Sequence, residues 1–439
     1  MNSVDLHVHS KYSEHPSEWF LQRIGASESY TEPEAIYQAA KKNGMRFVTI
    51  TDHNKIDGVL RLQEQHPGDV FTGMEATSYF PEDGCKVHVL IYGLTAADYD
   101  EVQRIRRDIY HLRDFLKQRR LPCSVAHALY AVNDRTTIEH LEKLILLFDT
   151  FEGINGARSR MNNMLWMDTL KSLTADRIGD LYRTWRIEPF SDSSWLKGFT
   201  GGSDDHGGLF IGRTYTSADA ADTEAFLRAL RQKNTVPGGR HNDFKSLAFA
   251  LYKVAYDFSK TKGNTFSQSL ISKLSGIVFD KKALSLTDRL SIGKLKLTGK
   301  KGADTIQDLL IELIDEFRTD TELPVEKKLD IAYDRIASLA DEFMRLFIRS
   351  IERDLRGGDI MNLVKSVSTS LPGIFISLPF FSTFRHLNNG RALTQELAVR
   401  FPQQKRTKKV LLFSDEPAGV AVADILSGSA NTAAISAGG

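Results

Sequence analysis

The chain has 439 residues, 41% of them hydrophobic and 26% charged, the composition of a folded protein long enough for two or three domains. Lys and Arg total 57 against 56 Asp and Glu, and a net charge of +1 excludes the global basic field that draws proteins onto nucleic acid. Only Cys85 and Cys123 are present, which excludes a disulfide framework and a zinc site built on paired Cys motifs.

Met1 leads directly into Val4-Asp5-Leu6-His7, with no basic-then-apolar export signal and no transit-peptide pattern, so a cytoplasmic location is expected. Apolar alternation around His7-Val8-His9 predicts a strand that points both imidazoles to one side. Thr31 and Glu34 form a capping-box signature for a helix over residues 32–43, which Gly44 stops. β-branched runs at Phe47-Val48-Thr49-Ile50, Val87-His88-Val89-Leu90-Ile91 and Ser124-Val125-Ala126 alternate with amphipathic segments such as 99–119. This predicts repeated strand–helix units and an α/β first domain over residues 1–237.

After a turn at Gly238-Gly239 the spacing becomes helical over 244–258, 303–318 and 325–356, predicting a mainly α-helical domain over 238–407. In the last of these, Leu329, Ile336, Leu339, Phe343, Leu346 and Phe347 make one apolar stripe, the mark of core packing. The apolar run from Leu371 to Phe381 carries two prolines and falls short of the roughly 20 residues of a spanning helix, so no transmembrane segment is expected. Residues 408–439 hold one predicted strand, Val410-Leu411-Leu412-Phe413-Ser414, and a small-residue tail from Ser427 expected to be disordered.

The chemistry concentrates in the first domain. Thr51-Asp52-His53-Asn54 and Gly73-Met74-Glu75-Ala76-Thr77 are polar clusters beside predicted strands. His88 lies within a strand, His127 follows one, and Ser203-Asp204-Asp205-His206 sits in a glycine-flanked loop. Six of the 12 histidines thus fall within a strand, at a strand end or in that loop, and strand ends collect ligands. One such histidine is more often a hydrogen-bonded core residue; the ordered set argues for a metal site. Imidazole with carboxylate and no thiolate suits Zn, Mn or Fe. Metals bridged by one carboxylate sit roughly 3.5–4 Å apart, hold a hydroxide near neutral pH and neutralise charge on a phosphoryl oxygen.

Asp52 and Asp205 would orient imidazoles or relay a proton, or would only cap turns. Arg158, Arg160 and Arg213 are the candidate phosphate-binding cations, each with a solvated surface role as its alternative. The segment from His15 to Tyr30, carrying Trp19 and Phe20, reads as a lid over the site mouth or as packing on the domain's exterior.

His7-Val8-His9-Ser10, Thr51-Asp52-His53-Asn54, Glu75, His88, Ala126-His127 and Ser203-Asp204-Asp205-His206 together resemble the motifs of the polymerase and histidinol phosphatase (PHP) superfamily of phosphoesterases. The resemblance covers residues 1–237. It implies a distorted seven-stranded (β/α)7 barrel, two or three divalent metals and hydrolysis of a phosphate ester. The first metal would take His7, His9, Glu75 and Asp204; the second would share Glu75 and add His88 and His127; the third would take Glu14, His53 and His206. The family's SDG triplet is replaced by Ser13-Glu14-His15, so His15 is the alternative to Glu14. Val410 to Ala421 resembles the opening strand and glycine loop of a group 1 glycosyltransferase, so the chain looks like the N-terminal portion of a PHP–glycosyltransferase fusion. Too little of the transferase is present for activity. An alternative role is therefore a regulatory or binding module attached to a truncated transferase. The implied substrate is a phosphorylated small molecule or a sugar- or lipid-linked phosphate.

Overall fold

A computed structural model describes residues 1–13, 27–242 and 391–401, with single positions between 246 and 260. The described residues belong to one compact unit, residues 1–266 with 385–404. The helical segments at 303–318 and 325–356, the apolar run at 371–381, and residues 408–439 lie outside the described residues, as do Glu14, His15, Trp19 and Phe20.

The architecture is mixed α/β. Strands β2 (Gly73–Tyr79), β3 (Lys86–Tyr92), β4 (Cys123–Val125), β5 (Thr150–Asn155) and β6 (Gly198–Gly202) form a five-stranded sheet in that order. Strands β1 (Asn2–Val4), β7 (Thr214–Ala218) and β8 (Val236–Gly239) form a second sheet. The expectation of repeated strand–helix units holds only in part. Strands β4, β5 and β6 pair in parallel, but β2, β3 and β4 pair antiparallel. The link between β2 and β3 is too short to hold the crossover that parallel pairing requires. Gly238 and Gly239, expected in a turn, lie in β8 opposite Tyr215 and Thr214. Their missing side chains suit the close approach: a Cβ at Gly239 would lie 2.2 Å from the Arg213 carbonyl oxygen.

Helix α1 (Pro33–Lys42) begins one residue inside the predicted span, and the Thr31 capping box does not form. Pro33 sets the first turn with Glu32 as a cap that makes no side-chain hydrogen bond. The stop occurs as predicted: Gly44 has φ of 82°, with Gly44 N donating to Lys41 O and Met45 N to Ala40 O, a Schellman ending. After α2 (Asp57–Gln65), the segment read as one helix over 99–119 is two, α3 (Ala96–Ile105) and α4 (Ile109–Arg119). Asp108 divides them by accepting from Tyr110 N and His111 N as an N-cap. Helices α5 (Ile138–Leu147), α6 (Arg160–Lys171), α7 (Ala175–Trp185) and α8 (Thr223–Arg231) follow. The described positions from Ser246 to Lys260 are helical, within and just beyond the predicted 244–258.

One core cluster joins Val8, Ile50, Val89, Val125 and Phe151 to helix residues Ile36, Leu62, Leu141 and Trp166. Leu393, Leu397 and Phe401 of α9 (Arg391–Arg400) and its end extend it. A second cluster collects Val4, Leu6, Phe47, Leu90, Tyr92, Ala126 and Phe226. Among the described residues no helix is long and apolar enough to cross a membrane.

Candidate metal centre

Backbone pairing beyond the regular strands brings the motifs together. The predicted strand at 47–50 reduces to one bridge, Val48 to Val70, and the run around His7 and His9 keeps one bridge, Val8 to Asp205. His9 N donates to Asp205 O at 3.1 Å and Asp204 N to His7 O at 2.7 Å. On the other side Thr51 N reaches Val8 O at 2.9 Å and Asn54 N reaches Glu75 O at 2.9 Å. Glu75 on β2 and His88 on β3 share a face, because His88 pairs with Thr77, two residues from Glu75. His127 and Asp204 follow closely on β4 and β6. Asn54, His127 and Asp204 have φ of 55°, 26° and 52°. Such left-handed conformations at non-glycine residues store strain, and three of them surround this cluster.

Glu75 is the hub. Its Oε2 lies 3.1 Å from His7 Nε2 and 3.2 Å from both His9 Nε2 and His53 Nδ1. Its Oε1 lies 2.8 Å from His88 Nδ1 and 3.2 Å from His127 Nε2. Asp204 Oδ1 approaches His7 Nε2 at 3.4 Å, His9 Nε2 at 3.5 Å and His206 Nδ1 at 3.7 Å. All of the sequence-derived ligand candidates among the described residues therefore converge. The His53 and His206 side chains, 11% and 25% exposed, mark the open side, since those of His7 and His9 are fully buried.

Glu28 joins them without having been anticipated. It is buried, with Oε2 3.2 Å from His53 Nε2 and Oε1 3.3 Å from His206 Nε2. It meets the two imidazoles with which the sequence reading grouped Glu14, a residue that lies outside the described ones. The available signal was local: Ser27-Glu28 repeats the Ser13-Glu14 pair and lies just ahead of α1.

Burial opposes every charge in this cluster. At His88 it prevails, with help from His53 and His127, and the pKa falls to about 3. His88 is thus neutral at neutral pH, with one ring nitrogen free to donate its lone pair. At His9 the Asp204 and Glu75 carboxylates outweigh burial and raise the pKa to about 10; at His7 the rise is also large. Glu75 and Asp204 are held well below the carboxylate range, despite burial, by the surrounding imidazoles.

The cluster's chemistry fits a divalent cation. His9 Nε2, His53 Nδ1 and both ring nitrogens of His88 are buried without a well-formed hydrogen bond, although the first two and His88 Nδ1 stand within 3.2 Å of a Glu75 oxygen. Buried polar atoms are rarely left so, and nitrogens facing oxygens without hydrogen-bond geometry form a donor set. Four overlapping groups can each place their donors around one ion: His7 with His9 and Glu75, His7 with His127 and Asp204, His53 with Glu75 and His88, and His9 with Glu28, His53 and His206.

The outer residues separate by role. Asp52 accepts from Ser10 N and Oγ, both at 2.6 Å, and from Ser13 Oγ at 3.2 Å. Ser13 Oγ in turn lies 3.0 Å from His9 Nδ1. Asp52 therefore reaches an imidazole through a hydroxyl. The Asp205 carboxylate instead takes backbone N–H groups from Gly208, Leu209 and Phe210. Arg158 is buried, its guanidinium 3.8 Å from the Tyr130 ring centroid and its Nη2 3.5 Å from Asp204 Oδ2. Its Nε and Nη1 make no hydrogen bond. Arg160 and Arg213 are exposed.

Fold and site together define an α/β protein with a buried histidine–carboxylate centre. No family model matches the chain. An uncharacterized protein of Methanocaldococcus jannaschii is 39% identical over 75 residues, 16% of this chain and 42% of that protein. The chain thus spans about two fifths of the curated relative it matches. A solved structure from Bifidobacterium adolescentis, named as a candidate metal-dependent phosphoesterase, is similar with a TM-score of 0.27 and 16% identity, covering 46% of this chain and 87% of that one.

Proposed function

We propose that the chain is a metal-dependent phosphoesterase of the PHP type. The observation that carries this reading is the convergence of five imidazoles on the two oxygens of Glu75, with buried ring nitrogens left without well-formed hydrogen bonds. His7, His9, Glu75 and Asp204 would hold one cation, Glu75 with His88 and His127 a second, and His53, His206 and Glu28 a third. Zn, Mn and Fe all suit these donors. Such cations, when bound, supply water activation near neutral pH and charge neutralisation on a phosphoryl oxygen. Arg158, with two nitrogens free of hydrogen bonds beside Asp204, would bind the substrate's phosphoryl oxygens. Asp52 would act through Ser13 to keep His9 Nε2 turned inward. Burial of His7, His9 and Glu75 excludes bulk water from all but the His53–His206 side.

With this reading goes a distorted seven-stranded barrel, in which the bridges around Val8, Val48 and His53 would complete the two sheets. Residues 1–237 would form the metal-binding domain, with β8 and α9 completing its compact unit, the remainder of 238–407 a mainly helical one and 408–439 the start of a transferase-like segment. A phosphorylated small molecule, or a sugar- or lipid-linked phosphate, would be the substrate, met in the cytoplasm. The test is elemental analysis of the purified chain followed by a phosphoester panel with Zn, Mn and Fe. Two or three metals per chain and chelator-sensitive phosphate release are expected. Stoichiometric metal without release from any ester would favour the binding-module alternative, and absence of metal would overturn both.

A further inference from the structure

We propose that Glu152 is the positioning residue of this centre, one carboxylate that keeps His7, His127 and Asp204 in mutual register; the inference rests on the metal-dependent reading. Glu152 is buried on β5. Its Oε1 lies 3.0 Å from His7 Nδ1. Its Oε2 accepts from His127 N at 2.9 Å and from Asn155 Nδ2 at 2.8 Å. The same Asn155 nitrogen donates to Asp204 Oδ2 at 3.1 Å. Three candidate ligands from three separate chain segments are thereby tied to one strand.

A carboxylate against Nδ1 fixes the His7 tautomer. With a proton on Nδ1 directed to Glu152, Nε2 is the ring nitrogen left for a cation, and it stands 3.1 and 3.4 Å from the Glu75 and Asp204 oxygens that would share it. His127 needs support of a different kind. Its φ of 26° is unfavourable, and the hydrogen bond from its backbone N–H to Glu152 helps hold it there.

The backbone of β5 is built for this. In a regular strand residues three apart face opposite sides, so Glu152 and Asn155 would diverge. The β5–β6 register shifts between Glu152 and Ile154: Glu152 pairs with Thr200 and Ile154 with Gly201, two steps against one. The extra residue is Gly153, and it brings Glu152 and Asn155 to the same side. A Cβ at Gly153 would lie 3.0 Å from Met167 and 3.1 Å from Phe199, tighter than most side chains tolerate. Asn155 is itself clamped to α6: its N donates to Asn163 Oδ1 at 3.2 Å, and its O accepts from Asn163 Nδ2 at 2.9 Å. Ala157 N donates to Asn155 Oδ1 at 2.8 Å, which turns the amide nitrogen towards the two carboxylates.

The test is metal affinity of the full chain, by competition with a chromophoric chelator, for wild type, Glu152→Gln and Asn155→Ala, with Co(II) absorption spectra as a second readout. Gln preserves volume and an acceptor for His7, but confronts the His127 and Asn155 donors with a third donor. Affinity for one cation should fall about 10- to 100-fold in Glu152→Gln, with altered Co(II) bands. Asn155→Ala severs only the link to Asp204, and a smaller loss with altered bands is expected; it decides the matter if Glu152→Gln does not fold. Variants that match a metal-binding wild type in affinity and spectrum overturn this inference alone. A wild type that takes up no metal sinks the metal-dependent reading and this inference with it.

Discussion

Glu75→Gln is the sharpest perturbation of the centre. The change keeps the side chain's volume but removes its charge and turns one oxygen into a donor, where five imidazole nitrogens stand at 2.8–3.2 Å. At least two cations would lose a shared ligand. Metal that binds only the folded chain stabilises it by about 2.7 kcal/mol at 100 times the dissociation constant. For a domain of this size that corresponds to a Tm rise of about 5–11 °C. The variant should lose this rise, and its phosphate release should fall at least about 1,000-fold, equivalent to roughly 4 kcal/mol. Without metal its Tm at neutral pH should fall as well, because the imidazoles that hold the Glu75 carboxylate well below its usual range lose their charged partner. His206→Ala should be milder: its side chain is 25% exposed and, among the described residues, approaches the carboxylates of Glu28 and Asp204 at 3.3 and 3.7 Å. Thermal melts with and without added metal, paired with initial rates, make the comparison. A Glu75→Gln chain with full metal content and activity would refute the bridging role.

Two further outcomes follow from particular contacts. Arg158→Ala should raise KM for a phosphorylated substrate about 10- to 100-fold with metal content unchanged, the worth of a charge-assisted hydrogen bond. Arg160→Ala and Arg213→Ala, at exposed positions, should stay within about twofold; equal effects from all three would mean that burial does not mark the phosphate site. A chain ending at residue 406 should keep its metal and rate. One ending at 385 loses the burial of Leu393, Leu397 and Phe401 and should be roughly 5 kcal/mol less stable in denaturant titration. Equal midpoints for the two would show that α9 contributes nothing to the unit.

Local pattern carried much of this protein. The i, i+2 spacing of His7 and His9, the polar clusters at His53 and Glu75, His127 just after a strand and Asp204 in a glycine-flanked loop were legible because each is a property of a few consecutive residues, although Glu75 lies within β2 and the strand expected at 47–50 reduces to one bridge. The Gly44 stop was legible for the same reason, since only a residue tolerant of positive φ ends a helix that way. Where a neighbour's hydrogen bond decided the matter, the pattern misled: Asp108 divides a continuous amphipathic run, and Pro33 displaces the Thr31 capping box. What only the tertiary structure decided is which side chains meet. Glu28 carries no signal beyond a Ser-Glu pair, yet it reaches His53 and His206. Arg158 and Arg160 are two residues apart and look alike in sequence, but one is buried against Tyr130 and Asp204 and the other is exposed. Glu152 and Asn155 share a face through one extra residue in a strand pairing. Each of these depends on contacts between segments far apart in the chain, and no window of consecutive residues contains them.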